Sequence, residues 1–513
     1  MRRHGASVSR LDVGMRTDSA DVVIVGSGMG GGTLAWGLAR RGIKVLVVER
    51  GDYLPREPQN WSPTEVFKNR RYKPDERWLD EGGGEFRPGV HYLVGGNTKV
   101  YGASLPRLRE CDFAEIKYPT GISRAWPFPY ADIEPYYSQA ESLYRVHGAT
   151  GEDPTEPWRS QQFPYPALSH EPYIQGVIDR LGQQGVHPSA TAMGVDLQAG
   201  GACIRCGTCD GFPCRVGAKS DSETCALEPA LAGGFVRLLT NTRIDHLETG
   251  GTDQVVRLVG ECAGEPIWIT GGAYVLAAGA ANTAALLLRS RDDRWPNGVG
   301  NSNDLVGRNY MMHNNTHLAA IDPRRRNDVV FQKTFAINDF YFDMGDGYPG
   351  GSIQLIGKVQ GSMMKTHATR APLPLLNEFS KRSLELLVMA EDLPSPQNRV
   401  SVTQSGQIAV RWKRTNYDRH ELLLAETKRL LRQIGYLGIF EQRFTIDMNS
   451  HMCGTAVGGT DPAQSVVDGL GRSHEVANLF IADAAFFPSS GAQNPALTIA
   501  ALALRMAAEV EWA

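Results

Sequence analysis

No run in this chain is apolar for the roughly 20 residues that a membrane-crossing helix requires. The richest stretches, 275–288 and 496–508, are broken by Asn282, Thr283, Thr498 and Arg505. Arg2 and Arg3 stand near the start, but no apolar segment follows them. Neither a secretory nor a twin-arginine leader is therefore expected, and the cytoplasm is the expected compartment. An excess of one charge is missing too: 53 Lys and Arg face 56 Asp and Glu, a formal net of −3. That balance argues against a nucleic-acid binder or a polybasic membrane-surface protein. Internal repeats and low-complexity tracts are also absent. With 42% hydrophobic and 21% charged residues, the composition is that of an ordered globular chain. Its 513 residues are enough for about two to four domains with sizeable cores.

Glycine is in surplus, with 56 of 513 residues against the usual ~7%, and it is clustered. Clustered glycine marks places where backbone comes close to something. The eight cysteines are Cys111, Cys203, Cys206, Cys209, Cys214, Cys225, Cys262 and Cys453, five of them between 203 and 225. In a reducing compartment such a cluster reads as metal, redox or buried thiols before a disulfide framework.

Residues 1–20 are polar and unpatterned, as in a loose tail. Residues 21–25 (Asp-Val-Val-Ile-Val) form a run typical of a strand buried on both faces. Gly-Ser-Gly-Met-Gly-Gly-Gly (26–32), a helix over 33–41 and a second buried strand at 44–49 follow, completing a βαβ unit. A polar excursion covers 53–87, and 91–105 is a second glycine-rich element. Beyond a proline-rich stretch, the pattern predicts a helix at 171–184, strands at 235–249 and 267–278, and a helix at 280–290. Region 320–445 has a different texture. It carries a strand at 384–390, a hairpin at 399–412 turning at Gln404-Ser405-Gly406, and an amphipathic helix at 419–434. A terminal helix runs from 494.

Gly26-x-Gly28-x-x-Gly31 between strand and helix is a dinucleotide fingerprint in its required context. The first glycine turns the chain, the second admits a pyrophosphate, and the third lets helix and strand close together. Phosphates would rest on the helix N-terminus, beside Met29 and Gly30. Glu49, ending the second strand, is placed to accept ribose hydroxyls, with Arg50 next to it. Two distant strands complete a flavin site better than a nicotinamide one. One ends in Ala278-Gly279, and the other, 478–483, ends in Asp483 followed by Ala484. FAD is the expected cofactor, and Ile244 is a further expected neighbour.

Several motifs in order along the chain resemble the glucose–methanol–choline (GMC) oxidoreductase family. They are the N-terminal fingerprint, Val94-Gly95-Gly96-Asn97, Trp126-Pro-x-x-Tyr130 with Glu134-Pro-Tyr-Tyr137, and His451-x-x-Gly454-Thr455 through Asn494-Pro495. Segment 491–498 is similar to that of pyranose oxidases and bacterial glycoside oxidases. The resemblance implies an α/β fold: a discontinuous Rossmann-like FAD-binding domain plus an α+β substrate-binding domain with an antiparallel sheet. The implied division is an N-terminal tail at 1–20 and FAD-binding parts at 21–150, 201–315 (with the cysteine-rich loop 203–225) and 447–513. A substrate-domain excursion at 151–200 and the substrate-binding domain at 316–446 complete it.

By the same resemblance His451 matches the catalytic histidine and Asn494 its partner. A neutral imidazole is the natural base for an alcohol proton near pH 7, and an amide beside it would orient the C–H bond. Gly95, Gly96, Asn97 and Thr98 match the loop that passes the flavin ring. Because 98–101 holds no histidine, FAD is expected to be noncovalent. His91, His313, His317 and His474 could line the site, with a structural or surface role as the default for each. The spacing of Cys203, Cys206, Cys209 and Cys214 approximates a ferredoxin-like run. It departs in its last interval and in having Arg215 where proline follows. A four-cysteine zinc site is chemically open as well, and many relatives keep such cysteines without a cluster; no metal is assigned. The expected reaction is oxidation of a CH–OH group of a sugar, glycoside or similar polyol, with hydride passing to flavin N5. O2 or another acceptor reoxidises the flavin. A lyase of the same fold using His451 alone, or an electron-relaying subunit with an iron–sulfur cluster, is the alternative. Neither nucleic acid nor membrane is an expected partner, and the sequence is silent on oligomeric state.

Overall fold

The structure, a computed structural model, describes residues 16–512. Its first sheet has seven strands. Val236–Leu239, Val45–Val48, Arg16–Val25, Glu265–Leu276, Arg257–Cys262 and Thr242–Glu248 lie side by side in that order, and Leu479–Ile481 pairs with Glu265–Leu276. The strands from 236, 45, 16, 265 and 479 are mutually parallel. Parallel strands need cover on both faces, which explains their nearly unbroken apolar sequences. Val22, Ile24, Val45 and Val47 pack with Leu34 and Leu38 of helix Met29–Ala39 and with Ala503 and Met506 of helix Ala496–Glu509. On the opposite face, Val23, Leu46 and Tyr274 join a core that includes Ala284 and Leu287 of helix Ala280–Arg289.

The second large sheet is antiparallel, in the order Gly438–Arg443, Asn314–Ile321, Ser383–Ala390, Gly351–Leu355, Phe335–Ile337, Ser189–Ala190. Side chains alternate across it with period two. Leu318, Leu386 and Leu355 join a core with Leu423, Leu424 and Leu431 of helix Tyr417–Gln433. The other face, with Asn315, Leu387 and Gln354, lines a large cavity. The α/β class with a dinucleotide-type parallel sheet and a separate antiparallel sheet is thus the architecture observed.

Three readings of the sequence are corrected. The first strand begins at Arg16 and not at 21, because Arg16–Ala20 pair with Ile267–Gly271; the rest of the expected tail lies outside the described residues. The strand expected over 235–249 is two strands. Asn241 takes φ 51°, and the chain reverses from the parallel partner Val45–Val48 to an antiparallel flap. The excursion 53–87 is also less irregular than its composition suggests. Trp78–Leu79 and Glu85–Phe86 extend the predicted hairpin Arg399–Val402/Ile408–Arg411 into a four-stranded sheet.

The Trp126-to-Tyr137 motif has a structural reason. Arg107, with its side chain 1% exposed, donates to Glu134, Glu141, Ser138 and the Tyr130 hydroxyl, all on helix Tyr130–Leu143. Trp126 Nε1 donates to Ser489 Oγ at 2.9 Å, and its ring packs on Phe486 and Phe487. This region therefore braces the 486–494 segment that leads into the last helix. Removing the cation leaves buried Glu134 without an ion-pair partner and Glu141 with Arg159 alone. Arg107→Met is expected to cost about 3–5 kcal/mol of stability, read as a lower chemical-denaturation midpoint. Arg124→Met, which breaks none of these contacts, is the control.

Candidate active site

Three chain-distant segments meet at the glycine motif by backbone contact. A Cβ on Gly26, whose φ is 104°, would lie 2.3 Å from Ala277 O; on Gly30 it would lie 1.6 Å from Ala482 O, and on Gly31 1.9 Å from Gly26 O. The first two contacts join the motif to the ends of strands Glu265–Leu276 and Leu479–Ile481, and the third presses the helix onto its own strand. Gly28 differs, since a Cβ there would meet nothing within 4 Å. Its face opens on a cavity of about 1310 Å³ that runs from the motif to His451 and Asn494.

The polar groups of this end suit a dinucleotide. Glu49 is buried; its Oε2 accepts from Ser27 N–H at 3.1 Å and Ser27 Oγ at 2.6 Å, and its Oε1 accepts from Gly51 N–H at 2.9 Å. Burial pushes its carboxyl upward, opposed by those hydrogen bonds. Arg50 sits 4.1 Å over the Tyr92 ring and pairs with Glu76 at 2.7 Å. Asp483 accepts from Gly279 N–H at 2.9 Å, Thr283 Oγ1 at 2.6 Å and Ala485 N–H at 2.8 Å. The donors, the acids and an unfilled glycine face fit an FAD-sized ligand.

At the other end His451, half-buried, stands beside the buried His313. The two Nδ1 atoms are 2.8 Å apart and the rings cross at 85°. His313 Nε2 lies 3.1 Å from Ser490 O. Desolvation pushes His313 down to about 4, and desolvation together with the neighbouring His313 and Lys333 pushes His451 down to about 3. Both rings are neutral through the physiological range. Asn449 ties their backbones together, donating to His313 O at 2.7 Å and accepting from His451 N–H at 3.2 Å. Asn494 lines the same cavity, and its Oδ1 is buried without a hydrogen-bond partner. It precedes helix Ala496–Glu509, whose unpaired N–H groups put partial positive charge on the cavity wall.

Opposite them, the antiparallel sheet supplies Asn315, Gln354 and Leu387, and two separate loops supply Lys333 and Asp210. Lys333 Nζ donates to Asp210 Oδ1 at 2.6 Å and to Gly102 O at 3.1 Å. Asp210 Oδ2 accepts from Gly357 N–H at 2.5 Å.

The cavity brings together Gly26, Gly28, Met29, Gly30, Glu49, Arg50, Gly96, Asn97, Thr98, Ile244, Ala278, Gly279, Asp483, Ala484, Asn494, Pro495 and His451. Gly31 and Gly95 are not on its wall. Gly31 packs helix on strand, and Gly95, at φ 91°, turns the loop toward Lys99 and Glu223. Of the histidines that could line the site, His313 is buried and touches His451 from within the core. His91 also lines the cavity, where its Nδ1 lies 3.2 Å from Asn97 Oδ1. Asn315, Gln354, Lys333 and Asp210 were not singled out from the sequence. The available signal was the alternation of Asn315 and His317 with Thr316 and Leu318, which reads as a two-faced strand. The four cysteines at 203–214 are free and partly exposed. Among the described residues no three His, Cys, Asp or Glu side chains converge on a cation position.

Two family models described as GMC oxidoreductase match residues 181–315 and 394–503, and one described as FAD dependent oxidoreductase matches 21–209. The chain is 32% identical over 510 residues to the 6'''-hydroxyparomomycin C oxidase of Streptomyces lividus, covering 94% of this chain and 90% of that protein. It is 31% identical over 516 residues to the paromamine 6'-oxidase of Streptomyces fradiae, covering 96% and 91%. Identity to the fructose dehydrogenase large subunit of Gluconobacter japonicus is 28% over 537 residues, covering 96% and 97%. The crystal structure of pyridoxine 4-oxidase from Mesorbium loti superposes with a TM-score of 0.66 at 18% identity, covering 95% of this chain and 98% of that one.

The two kinds of glycine predict two kinds of defect. Gly26→Ala is expected to destabilise the fold by about 2–3 kcal/mol, through strain and backbone overlap. Gly28→Ala should leave the stability of FAD-free protein within about 0.5 kcal/mol but lower the flavin-to-protein ratio after purification. Thermal unfolding and flavin absorbance read the two effects separately; equal unfolding midpoints for both variants would contradict this division.

Proposed function

The chain belongs to the GMC oxidoreductase family, FAD-dependent enzymes acting on CH–OH donors, and from that premise we propose that it oxidises a hydroxyl-bearing carbon of a sugar or glycoside. The observation that carries this reading is one continuous cavity: a glycine-lined dinucleotide cradle at one end, His451 and Asn494 at the other, and a polar sheet face above. Relatives named for oxidation of paromamine and of a hydroxyparomomycin, and another named for fructose, support a carbohydrate substrate. The similarity of segment 491–498 to pyranose and glycoside oxidases points the same way. Asn315 and Gln354 suit a substrate with several hydroxyls, since each amide offers both donor and acceptor.

Gly26, Gly28 and Gly30 with Glu49 and Asp483 would hold FAD noncovalently, and Gly96, Asn97 and Thr98 would flank its ring. Bound FAD supplies the hydride acceptor, and O2 or another acceptor regenerates it. His451 takes the hydroxyl proton; as a neutral imidazole it does so without first losing one of its own. Asn494, with an unpartnered Oδ1, turns its amide to the same hydroxyl and aligns the C–H bond. Orientation of this kind accounts for much of the rate.

The test is anaerobic bleaching of the flavin by a panel of free sugars, methyl glycosides, paromamine and simple diols. Bleaching by carbohydrates supports the proposal; bleaching by diols alone overturns it. His451→Ala should keep its flavin yet reduce it about 10²–10⁴-fold more slowly.

Because the His451 pKa is lowered to about 3, the ring stays neutral as pH rises from about 5 to 8. The bleaching rate should therefore be flat across that range. An acid limb near the ordinary histidine value of ~6.5 would contradict a neutral base at His451.

A further inference from the structure

We propose that His313 is a positioning residue that fixes the tautomer of His451, so that His451 Nε2 is the ring nitrogen with a bare lone pair. The argument runs along one hydrogen-bonded line. Ser490 O is a carbonyl and only accepts, so His313 Nε2, 3.1 Å away, carries the proton of that ring. A neutral imidazole has one N–H, which leaves His313 Nδ1 as an acceptor. Its partner at 2.8 Å is His451 Nδ1, which must then be the donor. His451 Nε2 is left without a proton, and no protein group among the described residues hydrogen-bonds it. His451 lines the cavity, so this lone pair is the one available there.

The geometry is locked from several sides. His313 is 1% exposed and no carboxylate contacts either ring, so desolvation outweighs the backbone hydrogen bonding at Ser490 and Gly491 that pulls His313 toward a charged form. Asn449 bridges the two backbones. The Ser490 carbonyl belongs to a segment held by Ser490 Oγ donating to Asp392 O at 3.0 Å and Gly491 N–H donating to Glu391 at 3.2 Å.

When a substrate O–H bond breaks, its proton forms an N–H bond at His451 Nε2 and the electron pair remains on oxygen. His451 is then doubly protonated, and its Nδ1–H bond to His313 becomes charge-assisted, which strengthens it. His313 thus helps to hold a charge that the dry site would otherwise resist. This catalytic meaning rests on His451 being the base; the tautomer itself does not.

The test is a two-bond 1H–15N correlation spectrum of FAD-loaded, full-length protein labelled with 15N-histidine, with His451→Gln identifying the His451 signals. The expected pattern is Nδ1 protonated and Nε2 bare for His451, with the reverse for His313. A proton on His451 Nε2 overturns the proposal. His313→Asn keeps an amide oxygen near the old Nδ1 position and should preserve the pattern. His313→Leu removes the acceptor, and His451 should then populate both tautomers comparably. An unchanged His451 pattern in His313→Leu would reduce His313 to packing and overturn the positioning role. If the leucine variant does not fold, wild type and His313→Asn decide the question. Failure of the parent reading looks different: His451→Gln would bleach at the wild-type rate while the tautomer pattern stood.

Discussion

The fold turns on the absence of side chains at a few positions where backbone meets backbone. Gly26 against Ala277, Gly30 against Ala482 and Gly31 against Gly26 leave no room for even a methyl group. These contacts draw a segment near residue 26, one near 277 and one near 482 onto a single point. A sheet of parallel strands, buried on both faces, holds them there. The open face of Gly28 is what this arrangement leaves for a ligand. The open glycine face and the core packing are therefore one feature, which is why chain-distant pieces are needed to build it.

The far end of the cavity is organised by desolvation. Burying two imidazoles against each other keeps both neutral and leaves their single N–H groups to be shared out by the nearest carbonyl. The antiparallel sheet closes the same space from above. Its period-two alternation gives one face to the core under helix Tyr417–Gln433 and the other, bearing Asn315 and Gln354, to the cavity. The brace around Arg107 and Trp126 fixes the segment carrying Ser490 and Asn494 from behind. The imidazole pair, the Asn494 amide and a polar roof are thus positioned by three separate packing units.

Much of this was legible beforehand, in particular places. Val22–Val25, Gly26–Gly31 and Glu49 announced a dinucleotide unit, because strand period, turn glycine and terminal acid all fall within one short stretch. The helices at Ala280–Arg289 and Tyr417–Gln433, and the hairpin around Gly406, were readable from local periodicity and turn chemistry. The strand break at Asn241 was not, because a left-handed asparagine between two β-rich runs leaves no gap in the apolar pattern. The pairing of Trp78–Leu79 with the 399–411 hairpin was equally hidden, since two-residue strands have no period to detect.

From its amino acids alone this chain determined the parallel-sheet unit and the glycine cradle, since each is written in neighbouring residues whose conformational demands are local; His451 and Asn494 were singled out by the resemblance of their motifs to those of the family. Only the tertiary structure decided which groups those residues meet. His313 is 138 residues from His451, and no local signal distinguishes it from a surface histidine. Its role comes from a strand that enters the core, a carbonyl that accepts and a dry environment that keeps both rings neutral. Asn315, Gln354 and Lys333 likewise acquire meaning from the face of the fold they occupy, because long-range pairing sets which side of a strand looks into the cavity.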